Sequence, residues 1–109
     1  KLNLSFNYED KNSKNGLWAT TIVFNKKYNI NINKLIRFLA KKKIFARKFF
    51  MPLTSQKGYK KFTSKKMKKN NQISYSLHKR ALVLPSHYNL NNDDIKKVCE
   101  EIILFVEKN

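Results

Sequence analysis

The apolar residues of this chain change their spacing partway along it, and that change limits the folds open to it. Residues 17–24 are rich in β-branched and aromatic side chains, the composition of a strand. After a polar turn at 25–29, Ile32, Leu35, Ile36 and Leu39 recur at i, i+3, i+4 and i+7, the spacing of one helix face. Asn31 is placed to cap that helix, and Lys41, Lys42 and Lys43 stand near its C-terminal end, where the helix dipole favours cations. A strand followed at once by an amphipathic helix needs a sheet for the helix to lie on.

The remaining segments extend the same pattern. Residues 45–53 form a second apolar and aromatic stretch, closed by Pro52, which a sheet tolerates only at a strand end or edge. Residues 54–73 show no period, and within them 63–73 reads as a mobile loop. Residues 74–80 read as a short helix and 81–85 as a short buried strand stopped by Pro85. In the last element Asn91 caps, with Asp93 and Asp94 in the first turn and Lys108 at the far end. Ile95, Val98, Cys99, Ile102, Ile103 and Val106 make its apolar stripe. Residues 1–16 are polar and aperiodic and read as a linker or lead-in. The order β-α-β-(α)-β-α predicts an α+β fold with a small three-stranded sheet packed by helices over 17–109.

Size and composition agree with one domain. At 109 residues with 41% hydrophobic residues, the chain can bury one modest core. No apolar run approaches the roughly 18 residues that span a bilayer, and the N-terminus lacks the apolar centre of a secretory signal. The expectation is a cytoplasmic protein without a membrane partner. Lys1 stands where an initiator Met would, which fits a trimmed or partial chain. Cys99, the single cysteine, falls on the apolar stripe and reads as a small buried hydrophobe.

Charge is the most uneven property. The net charge is +17, and no carboxylate side chain occurs from Lys11 to Asn92. Such a field attracts polyanions: nucleic acid, anionic lipid or a nucleoside diphosphate. Yet the basic residues are nearly all Lys, with only Arg37, Arg47 and Arg80 as arginines, and Asn and Ile are abundant. Compositional drift toward Lys and Asn accounts for that pattern without a polyanion partner.

A self-contained catalytic set is missing. His78 and His87 have no metal-ligand spacing with Cys99 or the acids, so no metal is expected. Paired carboxylates for acid–base work are lacking in the middle of the chain. With only Gly16 and Gly58, no glycine-rich loop can cradle a phosphate. The tract 41–69 interleaves lysines with Phe45, Phe49, Phe50, Tyr59 and Phe62, as single-strand binders do, but no recognition-module signature accompanies it. A free-standing basic domain for nucleic acid or another polyanion stays as the alternative reading.

Three segments, in order, carry a family resemblance. Asn15-Gly16-Leu17-Trp18-Ala19-Thr20-Thr21-Ile22-Val23 is similar to the strand opening the C-terminal domain of the DegT/DnrJ/EryC1/StrS sugar aminotransferases. The stretch Ile44-Phe45-Ala46-Arg47-Lys48-Phe49-Phe50-Met51-Pro52-Leu53-Thr54-Ser55-Gln56-Lys57-Gly58-Tyr59 resembles the family's isoleucine, Arg, aromatic, Pro-Leu-His, Gln and Tyr run. Leu84-Pro85-Ser86, then Leu90-Asn91-Asn92-Asp93-Asp94, resembles its final "LPS … Leu-Thr-x-x-Asp" passage into a helix. Lys43 stands where the family often has Gly, and Thr54 where it often has His.

The resemblance implies the small C-terminal domain of a fold-type I enzyme that uses pyridoxal phosphate, with a largely antiparallel sheet. Such enzymes pass an amino group, usually from glutamate, to a nucleotide-linked keto sugar, and they work as homodimers. The aldimine-forming lysine and the cofactor-holding residues belong to a large N-terminal domain. No catalytic or cofactor-binding residue is therefore expected in this segment, and the isolated 109 residues should be inactive without bound cofactor. Arg47, at the motif's Arg position, is the candidate substrate contact; the alternative is an Arg held by a carbonyl or exposed to water. Phe49 and Phe50 could shape a wall of the same site, although core packing suits them better, as it does Trp18.

Overall fold

The computed structural model describes residues 2–108. Among them the elements run β1 (Leu4–Phe6), β2 (Thr21–Phe24), α1 (Ile32–Lys41), β3 (Arg47–Lys48), α2 (Lys65–Asn70), α3 (Gln72–Arg80), β4 (Ala81–Val83) and α4 (Asn92–Glu107). The sheet is antiparallel with strand order β1-β2-β4-β3. The α+β class and the antiparallel sheet are as expected, with four strands in place of three.

Register decides which residues share a face. Ile22 pairs with Leu82, and Leu82 with Lys48, while Thr21 and Arg47 both lie opposite Val83. Side chains alternate along a strand, so Ile22, Leu82 and Lys48 share one face and Thr21, Val83 and Arg47 the other. On the first face α1 and α4 close a core of Ile22, Phe24, Leu35, Leu39, Leu82, Ile102 and Phe105. Phe38 and Phe105 meet there at 5.3 Å between ring centres. A 3.2 Å ion pair from Lys42 to Glu101 joins the C-terminal end of α1 to α4.

The helices begin where their caps dictate. Asn31 accepts the Lys34 amide at 3.1 Å at the start of α1. Asn91 and Asp94 form a reciprocal capping box at the start of α4. The end of α1 is tighter. The Lys43 amide donates to the Ala40 carbonyl and the Ile44 amide to that of Leu39, both at 3.0 Å, and Lys43 takes a left-handed φ of 61°. This is a Schellman closure, with Ile44 and Leu39 both buried in the core as its apolar contact. The turn normally filled by Gly therefore forms with Lys.

Several expectations are corrected. Residues 1–16 are not merely a linker, because Leu4–Phe6 pairs with β2 as an edge strand. Its attachment is polar and escapes any hydrophobic pattern. The Asn7 side chain accepts from the Thr21 amide at 2.6 Å and donates to the Ala19 carbonyl at 2.9 Å, continuing the ladder past the backbone. The strand expected over 17–24 spans only Thr21–Phe24, since Leu17 sits at φ 52° in a turn closed by the Asn15 side chain at 2.8 Å. The stretch 45–53 gives just two paired residues before the chain turns away. Part of the expected 63–73 loop is helical as α2, whose N-cap Ser64 accepts the Met67 amide at 3.1 Å.

The α4 stripe is also wider than the surface that covers it. Ile102 and Phe105 are buried, but Ile95 is 50% exposed and Cys99, expected to be buried, is exposed. Ile95 and Cys99 border a cleft of about 410 Å³ shared with Phe6, Leu17, Leu84 and Leu90. No helix among the described residues is long and apolar enough to cross a membrane.

Two stability outcomes follow. Lys43→Gly should stabilise the chain by about 0.5–1 kcal/mol, because it removes the Cβ cost of the left-handed conformation and repays part of that in unfolded-state entropy. Asn7→Ala should cost about 1–3 kcal/mol through the two lost bonds. Urea unfolding of both variants checks the signs, and an unchanged midpoint in either would contradict the geometry.

Candidate functional site

The face of the sheet opposite α1 and α4 carries the residues with chemistry to offer. Ala81 and Val83 are buried on it. The Phe49 amide donates to the Ala81 carbonyl at 3.3 Å, which carries the β3–β4 pairing one residue beyond Lys48. Arg47 and Phe49 thereby share this face, and Lys48 takes the other. Arg47 is exposed, and its side chain has no ion pair or hydrogen bond among the described residues. The alternative reading of an exposed Arg at a strand start describes its position; the structure supplies no carbonyl to hold it.

Three aromatic rings from the segments before β2 and after β3 meet one another. Trp18 and Phe50 are stacked at 5.8 Å with 28° between planes, and Phe49 meets Phe50 edge-on at 5.4 Å. Core packing suited these residues in the sequence, and the structure corrects that. Trp18 is 74% exposed and Phe50 57% exposed, while Phe49 is half-buried. The cause is the short β3: once the chain leaves the sheet after Phe49, alternation no longer drives Phe50 inward. Trp18 precedes the true start of β2 and so lies outside the ladder altogether.

The segment that presents these rings is stitched to α3. His78 lies with Nδ1 3.0 Å from the Phe49 carbonyl, a contact in which the ring N–H donates. The hydroxyls of Thr54 and Tyr75 are 3.0 Å apart. Tyr75 and His78 stand three residues apart and so share a helix face. Thr54, at the position where the resembled motif carries His, is thus occupied in holding the loop. Arg80 fixes α3 in turn, with Nη1 donating to the Phe24 carbonyl at 2.8 Å and Nε to the Ser76 hydroxyl at 3.1 Å. The spacing of Tyr75 and His78 was readable in the sequence, but which backbone they would reach was not.

The described residues do not fit a cofactor of the pyridoxal phosphate type. Every described lysine is exposed, so none sits in a dry pocket. Gly16 and Gly58 have open space where a Cβ would go, so neither lies in a tight phosphate cradle. Among the described residues no cluster of three His, Cys, Asp or Glu could hold a metal.

Comparison with known proteins then decides the family. The model of the DegT/DnrJ/EryC1/StrS aminotransferase family matches residues 2–103. This chain belongs to that family. No curated protein sequence matches it. Among solved structures it is similar to PseC of Helicobacter pylori, an aminotransferase involved in the biosynthesis of pseudoaminic acid, at 17% identity and TM-score 0.68 over 84% of the chain. The PLP form of Spr1654 from Streptococcus pneumoniae, a putative sugar aminotransferase, gives 17% identity and TM-score 0.78 over 96%. TlmJ, an aminotransferase from Streptoalloteichus hindustanus, gives 15% and 0.66 over 91%. The chain spans 24%, 26% and 25% of those three proteins, about a quarter of their length.

The site geometry separates two kinds of residue by stability. Arg47→Gln should leave stability within about 0.5 kcal/mol of the parent, since an exposed, unpaired side chain is removed. His78→Ala should cost about 1 kcal/mol, because the Phe49 carbonyl loses its donor. Thermal melts of the two variants that came out in the reverse order would show that Arg47 is structural.

Proposed function

We propose that the chain is the small domain of a pyridoxal-phosphate-dependent aminotransferase that moves an amino group from glutamate to a keto sugar on a nucleoside diphosphate. It acts in the cytoplasm against a large N-terminal domain and a homodimer partner. The observation that carries this reading is the family match over 2–103 in a chain only about a quarter as long as its solved relatives.

In this reading the chain binds and orients substrate, and it performs none of the bond-making. Pyridoxal phosphate supplies the amino-carrying chemistry from residues outside this chain. Arg47 offers a planar pair of N–H donors to a substrate phosphate from the edge strand. Phe49 and Phe50 form the apolar wall beside it, and excluding water there strengthens the guanidinium–phosphate attraction. No carboxylate side chain between Lys11 and Asn92 opposes an anionic substrate.

One observation favours a second reading, a basic domain for nucleic acid or another polyanion. Lys57, Lys60 and Lys61 on a 3-10 helix, Lys57–Phe62, and Lys65, Lys66, Lys68 and Lys69 on α2 are all exposed. Charge alone attracts any polyanion, so binding of that kind should fall steeply with salt.

A graft tests the choice. The matching quarter of PseC is replaced by this chain, and glutamate-dependent amination of a nucleotide-linked keto sugar is measured. The expected result is activity, with Arg47→Ala lowering kcat/KM about tenfold or more, the worth of one charge-assisted bond. A graft that folds and binds pyridoxal phosphate yet aminates no nucleotide-linked sugar refutes the proposal. Tight oligonucleotide binding at physiological salt would favour the second reading.

A further inference from the structure

The cleft between β1 and the start of α4 differs in chemistry from the rest of the surface. Of the 109 residues 24 are Lys or Arg, yet none of them lines this space of about 410 Å³. Its walls are apolar, with Phe6, Leu17, Leu90, Ile95 and Val98 among them. A neighbouring depression of about 440 Å³ reaches to Ile44 and Phe45 and shares Pro85, His87, Leu90 and Val98 with the cleft. The two therefore form one groove along the first half of α4, with Lys43, Asp94 and Lys97 at its far end. Phe6, Leu17, Phe45 and Ile95 are each at least half exposed, so this chain leaves the groove open.

Drift toward lysine accumulates at exposed positions where a charge does no harm. An exposed apolar groove that has taken up none along its main cleft marks a surface that another polypeptide covers, because a buried unpaired charge there would be costly. Two other occupants fail on charge. A second copy of the chain brings a further +17 and is repelled. A nucleic-acid backbone seeks lysines, which the cleft lacks.

Resting on the aminotransferase reading above, we infer that this groove is where the large N-terminal domain docks, through an uncharged apolar segment laid over Ile95 and Cys99. In that reading the large domain is joined ahead of β1, and Phe6 of β1 stands at the rim of the groove. A partner tethered there meets the groove at high effective concentration. The chain spans about a quarter of its solved relatives, so the remaining length is ample to cover it. Asp94 and Lys97 supply the polar rim that such contacts carry around an apolar centre. The width of the α4 stripe then has a cause: Ile102 and Phe105 serve the core of this chain, and Ile95 and Cys99 serve the contact with its partner.

Cys99, the single cysteine, is exposed in the cleft and reports on it directly. Its reaction with N-ethylmaleimide is followed by the mass of the Cys99 peptide, in the isolated chain at several concentrations and in the PseC graft. In the isolated chain the rate should lie within about threefold of that in urea, as for an open thiol. In the graft it should fall at least about tenfold, the protection of a surface closed nine-tenths of the time or more. Ile95→Lys should restore fast labelling in the graft and leave the urea midpoint of the isolated chain unchanged, since Ile95 is half exposed there. Ile103→Lys, exposed on α4 away from the groove, should leave the protection intact. Slow labelling of the folded isolated chain overturns the inference, and slowing that grows with concentration assigns the groove to a second copy and overturns it too. Equal rates in the isolated chain and in a graft that aminates sink the docking surface and leave the aminotransferase reading standing. Protection in a folded graft that aminates no sugar upholds the docking surface and refutes that reading.

Discussion

Ala81, Leu82 and Val83 have no exposed side, and that burial organises the rest of the chain. β4 is paired on both edges, to β2 and to β3, so its backbone is satisfied and its side chains must be covered above and below. Leu82 is covered by α1 and α4, which supply most of the apolar core. Ala81 and Val83 face the other way and are buried as well. The face that carries Ala81 and Val83 ends at the β3 edge in an exposed Arg47.

That asymmetry ties fold to function. The closed face explains why 109 residues can fold as a unit, with α1 ended by a Schellman turn and α4 started by a capping box. At the β3 edge of the other face, Arg47 is placed by strand register, and no ion pair or hydrogen bond among the described residues holds its side chain. A residue such as Arg47 stays available there because nothing in its own chain needs it. The apolar surface left over on α4 around Ile95 and Cys99 has the same origin: the stripe is wider than this chain can cover.

Much of the fold was legible because it is written in hydrophobic spacing and caps. The period of Ile32, Leu35 and Leu39 and the caps Asn31 and Asn91 marked α1 and α4 directly. β1 was not legible, because three residues give no period and its anchor is the amide of Asn7. Trp18 was misplaced for a related reason: a β-rich composition does not reveal that Leu17 sits at positive φ and delays the strand to Thr21. Arg47 was singled out only through the family motif, since exposure of an edge residue leaves no mark in composition. Cys99 was read as buried from helix period alone, which says which face is apolar and not how much of it is covered.

Amide hydrogen exchange, measured on the chain alone and on the chain grafted into a longer family member, reaches the central claim most directly. The account predicts that amides of β2 and β4 are already protected in the isolated chain, well above those of residues 57–70. Grafting then adds protection along 17–20 and 47–53, at the edges of the open face. Fast exchange at Ile22 and Leu82 in the isolated chain would contradict a self-contained core. New protection confined to 57–70 would contradict a second face whose edges a longer family member covers.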